Sequence, residues 1–224
     1  MAPPRDAEAT KARIFAAATA EFAAHGIAGA RIDRIAREAK ANKQLIYAYF
    51  GDKAELFTQV VQHAMLAIAA AVPPDAENPG DYLDRLMAYH ADHPELLRLM
   101  LWEGLEYGGG GGVGIERQEQ RRAFYASKAA AFGAAQERGA IERHLPPEHL
   151  VFIISALAGW PLAVSQIRKL LLGDTEEAAA RLRDSLRTAV GLLTGTDGTG
   201  TSGSGSDRTG TDGTGTDGTG TGSS

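Results

Sequence analysis

Residues 43–50, KQLIYAYF, combine hydrogen-bond donors with aromatic rings and contain no carboxylate. In a helix, Ile46 and Phe50 lie four positions apart and would face the core together. The other side chains of the segment would then remain on the outer faces: Lys43, Gln44, Leu45, Tyr47, Ala48 and Tyr49. Lysine and tyrosine can bind phosphate oxygens, while amide and apolar side chains can contact base edges in a groove. This segment is therefore predicted to contact double-stranded DNA.

Two short helices joined by a tight turn are predicted to position these residues. The upstream helix has an apolar stripe with the amphipathic spacing i, i+3, i+4, i+7: Ile32, Ile35, Ala36 and Ala39. Asn42 directly precedes the downstream helix and can accept hydrogen bonds from its free N–H groups. Residues 31–50 are therefore predicted to form a helix-turn-helix whose second helix enters the major groove.

The first turn of that second helix is the part that reaches base edges. Gln44 can pair with adenine, Lys43 with guanine or a phosphate, and Leu45 with a thymine methyl group. Alternatively, Leu45 packs inward against the core. Lys53 lies at the N-terminus of a following helix, where free N–H groups and positive charge together favour a phosphate.

Two arginines in the upstream helix, Arg31 and Arg34, would flank the same DNA backbone, with a solvated helix face as the alternative. Residues 31–53 contain six Lys and Arg against three Asp and Glu, although the whole chain has a formal net charge of −5. Attraction to phosphate depends on local charge, so the acidic remainder of the chain does not exclude DNA binding.

Residues 10–60 resemble the N-terminal domain of the TetR family of transcriptional regulators. The resemblance rests on many positions at fixed spacing: Ile14, Phe15, Ala18, Phe22, His25-Gly26, Ile35-Ala36, residues 45–50, Asp52-Lys53 and Leu56-Phe57. By this resemblance Tyr47 matches a tyrosine whose hydroxyl meets a phosphate, and Tyr49 matches a position that contacts backbone or base. Two positions depart from the family pattern. Lys40 stands where a turn glycine is usual, and Arg31 stands where Thr or Ser usually caps the helix.

The resemblance implies an all-α fold with two domains. An N-terminal three-helix domain with the helix-turn-helix would bind DNA, and a C-terminal helical domain would bind a ligand and form the dimer. The expected boundaries are 8–56 for the DNA-binding domain, 57–194 for the effector-binding and dimerisation domain, and 195–224 for a tail.

Hydrophobic periodicity and helix breakers divide the second domain further. A fourth helix is predicted to begin near Lys53 and to end before Val72. Later helices are predicted over about 81–91, 94–107, 115–138, 147–172 and 175–193. Residues 108–112 are all glycine, and because each glycine disfavours a helix by about 1 kcal/mol relative to alanine, a mobile surface loop is expected there.

By the same resemblance, the helices over about 147–193 would form the four-helix interface of a homodimer. An effector pocket would lie among the fourth to eighth helices. Its candidate lining residues are Met65, Leu86, Met87, Met100, Leu101, Trp102, Tyr107, Phe124, Tyr125, Phe132 and Trp160. Taken singly, such residues are more commonly core than ligand contacts. As a set they indicate a small apolar or aromatic ligand.

The expected function is therefore a ligand-responsive transcriptional regulator, a repressor that binds a pseudo-palindromic operator as a homodimer and is released by its ligand. The alternative is a helical metal- or small-molecule-binding enzyme without DNA binding, with His90 and His93 and the nearby Glu95 and Glu103 as candidate ligands. No third ligand follows at a diagnostic interval, so no catalytic residue, metal or cofactor is predicted. A helical interaction module without DNA would leave the donor-rich face of residues 43–50 unexplained.

The remaining composition concerns the cellular setting and the C-terminus. The chain has no cysteine, which excludes disulfide and thiolate sites and fits a reducing cytoplasm. No apolar run suggests a membrane span and no export signal precedes the first helix, so a cytoplasmic protein without membrane contact is expected.

Residues 195–224 contain only Gly, Thr, Ser, Asp and one Arg. Disorder is expected there, and calcium binding is the less favoured alternative because the terminal glutamate of an EF-hand loop is missing.

Overall fold

The computed structural model describes residues 4–107 and 118–196, and every regular element within these ranges is an α-helix. In chain order the helices are α1 (Pro4–Gly29), α2 (Ile32–Glu38), α3 (Lys43–Phe50), α4 (Lys53–Ala71), α5 (Pro79–Asp92), α6 (Pro94–Tyr107), α7 (Gln118–Glu137), α8 (Pro147–Ala163), α9 (Ser165–Leu172) and α10 (Glu176–Thr194). The all-α prediction is confirmed. The loop predicted at 108–112 and residues 197–224 of the predicted tail lie outside the described residues.

The first three helices share a small apolar core to which each contributes one face. Its central side chains are at most 4% exposed: Ile14, Phe22, Ile35, Ile46 and Phe50. Phe22 also meets Phe57 of α4 edge-to-face, with ring centroids 5.1 Å apart, an arrangement that aromatic pairs favour. The core thus joins α1–α3 to the start of α4, which fixes where the second helix of the helix-turn-helix points.

The turn between α2 and α3 keeps a left-handed residue although no glycine is present. Lys40 has φ = 50°, the one positive φ among the described non-glycine residues. The N–H of Lys40 donates to the Arg37 carbonyl at 3.2 Å, and the N–H of Ala41 donates to the Ala36 carbonyl at 2.9 Å. These two hydrogen bonds form the Schellman motif that ends many helices. The backbone therefore has the conformation that a glycine would adopt, with the strain of a Cβ added.

Replacing Lys40 by glycine is expected to raise the free energy of unfolding by about 0.5–1 kcal/mol. Relief of the backbone strain stabilises the folded state by more than the greater backbone entropy of glycine stabilises the unfolded state. Urea unfolding of both proteins measures the difference. Arg37→Gly, three residues earlier and inside α2, is the matched control and should lower stability by about 1 kcal/mol. A loss of stability in Lys40→Gly would show that this turn is not left-handed in solution.

The C-terminal half packs α5, α7, α8 and α10 around a second core. Its fully buried side chains include Tyr82, Leu83, Phe132, Leu150 and Ile154. Arg187 of α10 also reaches α5, where its Nη1 lies 2.9 Å from an Asp81 carboxylate oxygen. The predicted helices over 81–91, 94–107 and 175–193 are present within a few residues of their expected ends.

The predicted single helix over 147–172 is wrong, since two helices occupy this range. The axes of α8 and α9 differ in direction by 81°, and the break lies at Val164, which has φ = −120° and ψ = 50°. Pro161 in the last turn of α8 lacks an N–H and cannot bond to the Leu157 carbonyl, which weakens the helix just before the break. The exposed apolar residues of α8 and α9 therefore do not form the stripe of one continuous helix.

Within residues 4–107 and 118–196, α4 has the length and hydropathy of a membrane-spanning helix, and α8 with α9 passes the same test only if their bend is disregarded. Core helices of globular domains have the same composition. Since α4 buries Leu56, Phe57, Val60 and Val61 in the protein, its apolar character is explained by packing.

Candidate nucleic-acid interface and effector cavity

The start of α3 is held by the cap that the sequence predicts. Asn42 Oδ1 accepts a hydrogen bond from the Leu45 N–H at 2.7 Å, which satisfies one of the free donors of the first turn. Lys43 and Gln44 are exposed, Leu45 is half-buried, and Tyr47 is 48% exposed. The predicted orientation of α3 is therefore present, with Lys43 and Gln44 on the surface. Because Leu45 is half-buried, it lies between the core-packed and the DNA-facing alternatives.

Two lysines beside α3 have weak internal partners. Lys43 forms an ion pair with Asp33 of α2, and both side chains are more than half exposed. Lys53 is the first residue of α4, and its Nζ lies 3.4 Å from the Ala30 carbonyl oxygen. An exposed ion pair such as Lys43–Asp33 contributes only about 0–1 kcal/mol, so a phosphate oxygen can replace Asp33. The Lys53 partner is a neutral carbonyl at a long distance, and a charged phosphate oxygen is a stronger acceptor.

Arg34, in contrast, is engaged inside the domain. Its Nε donates to Glu21 Oε1 at 2.7 Å and its Nη2 donates to the Gly29 carbonyl at 2.9 Å. The same Glu21 oxygen accepts the backbone N–H of Arg31 at 2.8 Å. Burial raises the pKa of the Glu21 carboxyl, but the hydrogen bonds from Arg34 and Arg31 together lower it by more than burial raises it. The pKa of Glu21 therefore lies below its usual value.

Glu21 therefore accepts the backbone N–H of the N-cap residue itself, as the glutamate of a capping box does, while the Arg31 side chain makes no capping bond. This role was missed from the sequence. Its signal was available, because Glu21 is the one carboxylate between Lys11 and Arg31.

Tyr49 of α3 lies beside α1. Its ring is half-buried, and Lys11 Nζ lies 5.3 Å from the ring centroid, a cation–π distance. Lys11 was also missed as a basic group beside α3. Its Nζ also lies 3.0 Å from a Glu8 carboxylate oxygen, in an exposed ion pair that a phosphate could replace.

A cavity of about 810 Å³ lies among α4, α6, α7 and α8. It is lined by Met65, Met100, Glu103, Arg121, Arg122, Tyr125, Ala126, Ala129, Glu148, Val151, Phe152, Ser155 and Ala156. Cavities of this size accommodate drug-sized molecules. The cavity lies in the region expected for an effector pocket.

Three of the candidate pocket residues line this cavity, namely Met65, Met100 and Tyr125. The others described in full lie elsewhere: Leu86 and Phe132 in the core, Met87 and Phe124 against it, Trp102 against α1, and Leu101 and Trp160 on the surface. The side chain of Tyr107 lies outside the described part of the chain. Helical spacing indicates which residues share a face, but not which neighbouring helix that face meets.

The charged groups of the cavity were not expected. Arg121 Nη1 donates to Glu103 Oε2 at 2.7 Å, and the two side chains are only 10% and 17% exposed. Arg121 shares a helical face with Tyr125 and Ala129 at intervals of four residues. An arginine on a helical face with Tyr125 and Ala129 is the sequence feature that could have indicated a charged group in the cavity.

Helix α6 contacts both the cavity and the N-terminal domain. Met100 and Glu103 line the cavity, whereas Arg98 and Trp102 donate to the Ala23 carbonyl of α1 at 2.7 Å and 3.2 Å. The Trp102 ring also packs on the backbone bend at Gly26, where a Cβ atom would lie 2.7 Å from the ring. A displacement of α6 at the cavity would therefore be transmitted to α1.

His90 and His93, the candidate metal ligands of the enzyme alternative, do not meet at a common site. His90 is buried, and burial together with the charge of Lys128 lowers its pKa to about 4. His93 lies against Tyr89 with ring centroids 4.4 Å apart and faces Glu95 at 3.4 Å. Among the residues that the structure describes, no three metal-ligating side chains are grouped.

Comparison with known proteins agrees with this geometry. Residues 14–60 match the model of bacterial regulatory proteins of the TetR family, and residues 78–191 match a tetracycline repressor-like C-terminal domain. The chain is 52% identical over 185 residues to the HTH-type transcriptional repressor SCO4008 of Streptomyces coelicolor, covering 83% of this chain and 95% of that protein. The chain belongs to the TetR family. This TetR-family protein is thus a DNA-binding, ligand-responsive transcriptional regulator, and the family and fold predicted from the sequence are confirmed.

Two further similarities support the assignment of this TetR-family regulator. It is 33% identical over 111 residues to the HTH-type transcriptional repressor NicS of Pseudomonas putida, a match that spans 46% of this chain and 52% of that protein. Its fold matches the crystal structure of the transcriptional regulator SCO4942 from Streptomyces coelicolor with a TM-score of 0.69 and 29% identity, covering 83% of this chain and 98% of the other.

Proposed function

We propose that this regulator is a repressor that binds a pseudo-palindromic operator as a homodimer and is released when a small molecule occupies the cavity among α4, α6, α7 and α8. The observation that carries the proposal is the double contact of α6. One face of this helix lines the cavity, and the other bonds to the Ala23 carbonyl of the DNA-binding domain.

The DNA-binding face is the exposed surface around α3. Lys43, Gln44 and Leu45 enter the groove and read base edges, since the first turn of a recognition helix lies deepest. The residues assigned to phosphate or backbone contacts are Arg31, Tyr47, Tyr49 and Lys53. Arg34 acts through its bond to Glu21, which orients α2 beneath the same backbone.

The dimer forms through α8–α10, within residues 147–193. Several large apolar side chains on these helices are exposed in the single chain: Phe152, Trp160, Leu162, Ile167, Leu170, Leu171, Leu172 and Leu192. Apolar patches of this kind mark interaction surfaces. A two-fold axis through them would place the two α3 helices on the same side of the dimer for successive major grooves.

Release follows from a population shift between two dimer conformations. A ligand that binds more tightly to the conformation with the wrong spacing of α3 helices lowers the fraction that fits DNA. Both α4 and α6 contribute to the cavity and contact the N-terminal domain. They are therefore the elements that couple the two sites.

Repression, rather than activation, is proposed because two curated relatives carry the description of repressor. A catalytic role has no counterpart in these relatives, and the enzyme alternative is set aside on that ground. The domain boundaries 8–56 and 57–194 and a cytoplasmic location form part of the same proposal.

Substitutions in α3 distinguish the proposed roles of its side chains, using duplexes recovered from a random pool. Tyr47→Phe removes a hydroxyl–phosphate contact and is expected to weaken binding to all duplexes alike, by about tenfold for the dimer. Gln44→Ala should instead relax the preference at one position of each half-site while sparing the others. Fluorescence anisotropy titrations of point-mutated duplexes measure both effects. If Tyr47→Phe changed the sequence preference, its assignment to the phosphate would be contradicted.

A further inference from the structure

The lining of the cavity among α4, α6, α7 and α8 combines apolar and charged side chains. Met65, Met100, Val151 and Phe152 are among the apolar ones, and Arg121 with its partner Glu103 forms an ion pair in the lining. The cavity therefore resembles a site for a molecule with an apolar body and one polar group.

Arg121 is nine-tenths buried, and its guanidinium is only partly hydrogen-bonded. Nη1 donates to Glu103, whereas Nε and Nη2 are buried without a hydrogen-bond partner. Buried donors without an acceptor are rare and destabilising. Nε and Nη2 lie on the same edge of the guanidinium and can together bind the two oxygens of a carboxylate.

We propose that the effector carries a carboxylate that binds the Nε–Nη2 edge of Arg121, with its apolar body between Met65, Met100 and Val151. This inference rests on the proposed role of the cavity as the effector site and adds the chemical class of the ligand. The predicted apolar ligand is thereby refined to an amphipathic acid.

The charges around the cavity favour an acid over an amine. The lining contains two arginines and two glutamates, but Glu103 is already bonded to Arg121, and Glu148 is exposed in the first turn of α8. An ammonium group bound at Glu103 would have to displace Arg121, and one bound at Glu148 would meet an exposed carboxylate, whose ion pairs contribute only about 0–1 kcal/mol. A carboxylate instead binds donors that have no partner, while the pair with Glu103 is kept.

Three probes with one apolar body test the proposal: 4-(2-naphthyl)butanoate, the corresponding butanol and the corresponding butylammonium ion. Isothermal titration calorimetry on the full chain is expected to give at least about tenfold tighter binding for the carboxylate than for the alcohol, and the weakest binding for the ammonium ion. Equal or tighter binding of the ammonium ion, or no binding of any probe, would overturn the proposal.

Variants of the ion pair assign the effect to Arg121. Arg121→Met should reduce the affinity for the carboxylate to that for the alcohol, and the Glu103→Gln/Arg121→Met double variant should do the same without leaving a buried charge unpaired. Glu103→Gln alone should tighten carboxylate binding, because a neighbouring carboxylate then no longer offsets the positive charge of Arg121. Arg122→Met, in the same wall, is the matched control and should retain the carboxylate preference. A preference that survives in both Arg121 variants would overturn the proposal.

Operator titration with and without the bound carboxylate separates this inference from the proposed function. A carboxylate that binds through Arg121 but leaves operator affinity unchanged would contradict the release mechanism, while the assignment of the ligand class would stand.

Discussion

Replacing Gly26 by alanine is expected to lower the free energy of unfolding by about 3 kcal/mol. Gly26 has φ = 65° and ψ = 177°, a conformation that is nearly confined to glycine. An added Cβ would also lie 2.7 Å and 2.8 Å from atoms of the Trp102 ring. Both the backbone bend of α1 and its contact with α6 would therefore be disturbed, which equilibrium urea unfolding will measure.

Gly29→Ala is the matched control, because a Cβ at Gly29 would lie 3.4 Å from His25 Cβ, an ordinary van der Waals distance. This variant should be as stable as the parent or more stable by up to about 1 kcal/mol. In a Trp102→Ala background the loss caused by Gly26→Ala should shrink by about 1–2 kcal/mol, since the ring clash is absent. An unchanged stability of Gly26→Ala would contradict the described junction between α1 and α6.

Reversing the charge of Lys53 is expected to lower operator affinity about 100-fold in the dimer, because each subunit loses about one tenfold phosphate interaction. The loss should be the same for every duplex sequence. The slope of log affinity against log salt should also become shallower, by about one unit per subunit. Filter binding or anisotropy at several salt concentrations measures both quantities for Lys53→Glu.

Arg138→Glu makes the same charge change in the C-terminal domain, outside α3 and the proposed dimer surface, and serves as the control. Arg138 directly follows α7, with its Nη2 2.8 Å from a Glu77 carboxylate oxygen. Its reversal should leave operator affinity within about twofold of the parent, because charges beyond the Debye length are screened. A comparable loss in both variants would indicate that net charge, and not a contact at Lys53, determines binding.

The helix-turn-helix was predictable in detail because its signals are local. Asn42, the apolar pair Ile46 and Phe50, and the helix start at Lys53 depend on neighbours within a few positions in the chain. The turn at Lys40 was less predictable, because a left-handed residue is easiest for glycine, yet Lys40 adopts this conformation with φ = 50°. Lys40 shows that the turn geometry persists without its usual glycine.

The features that sequence reasoning missed depend on contacts between distant segments. Glu21 accepts the backbone N–H of Arg31, the N-cap residue of α2, from ten residues away, and Trp102 bonds to α1 across 79 positions. Periodicity marked Trp102 as an apolar helical residue but could not select its neighbour, so it was assigned to the pocket. The break at Val164 follows from a proline whose tolerance within a helix depends on tertiary packing.

Operator recognition by a dimer through α3 can be tested by selecting bound duplexes from a random pool with the full chain. An enriched motif with two-fold symmetry is expected, with half-site centres about 34–36 Å apart along the duplex. Repeating the selection with Gln44→Ala should relax one position in each half-site and leave the spacing unchanged. Recovery of no enriched motif, or of a motif without two-fold symmetry, would contradict operator recognition by a dimer through α3.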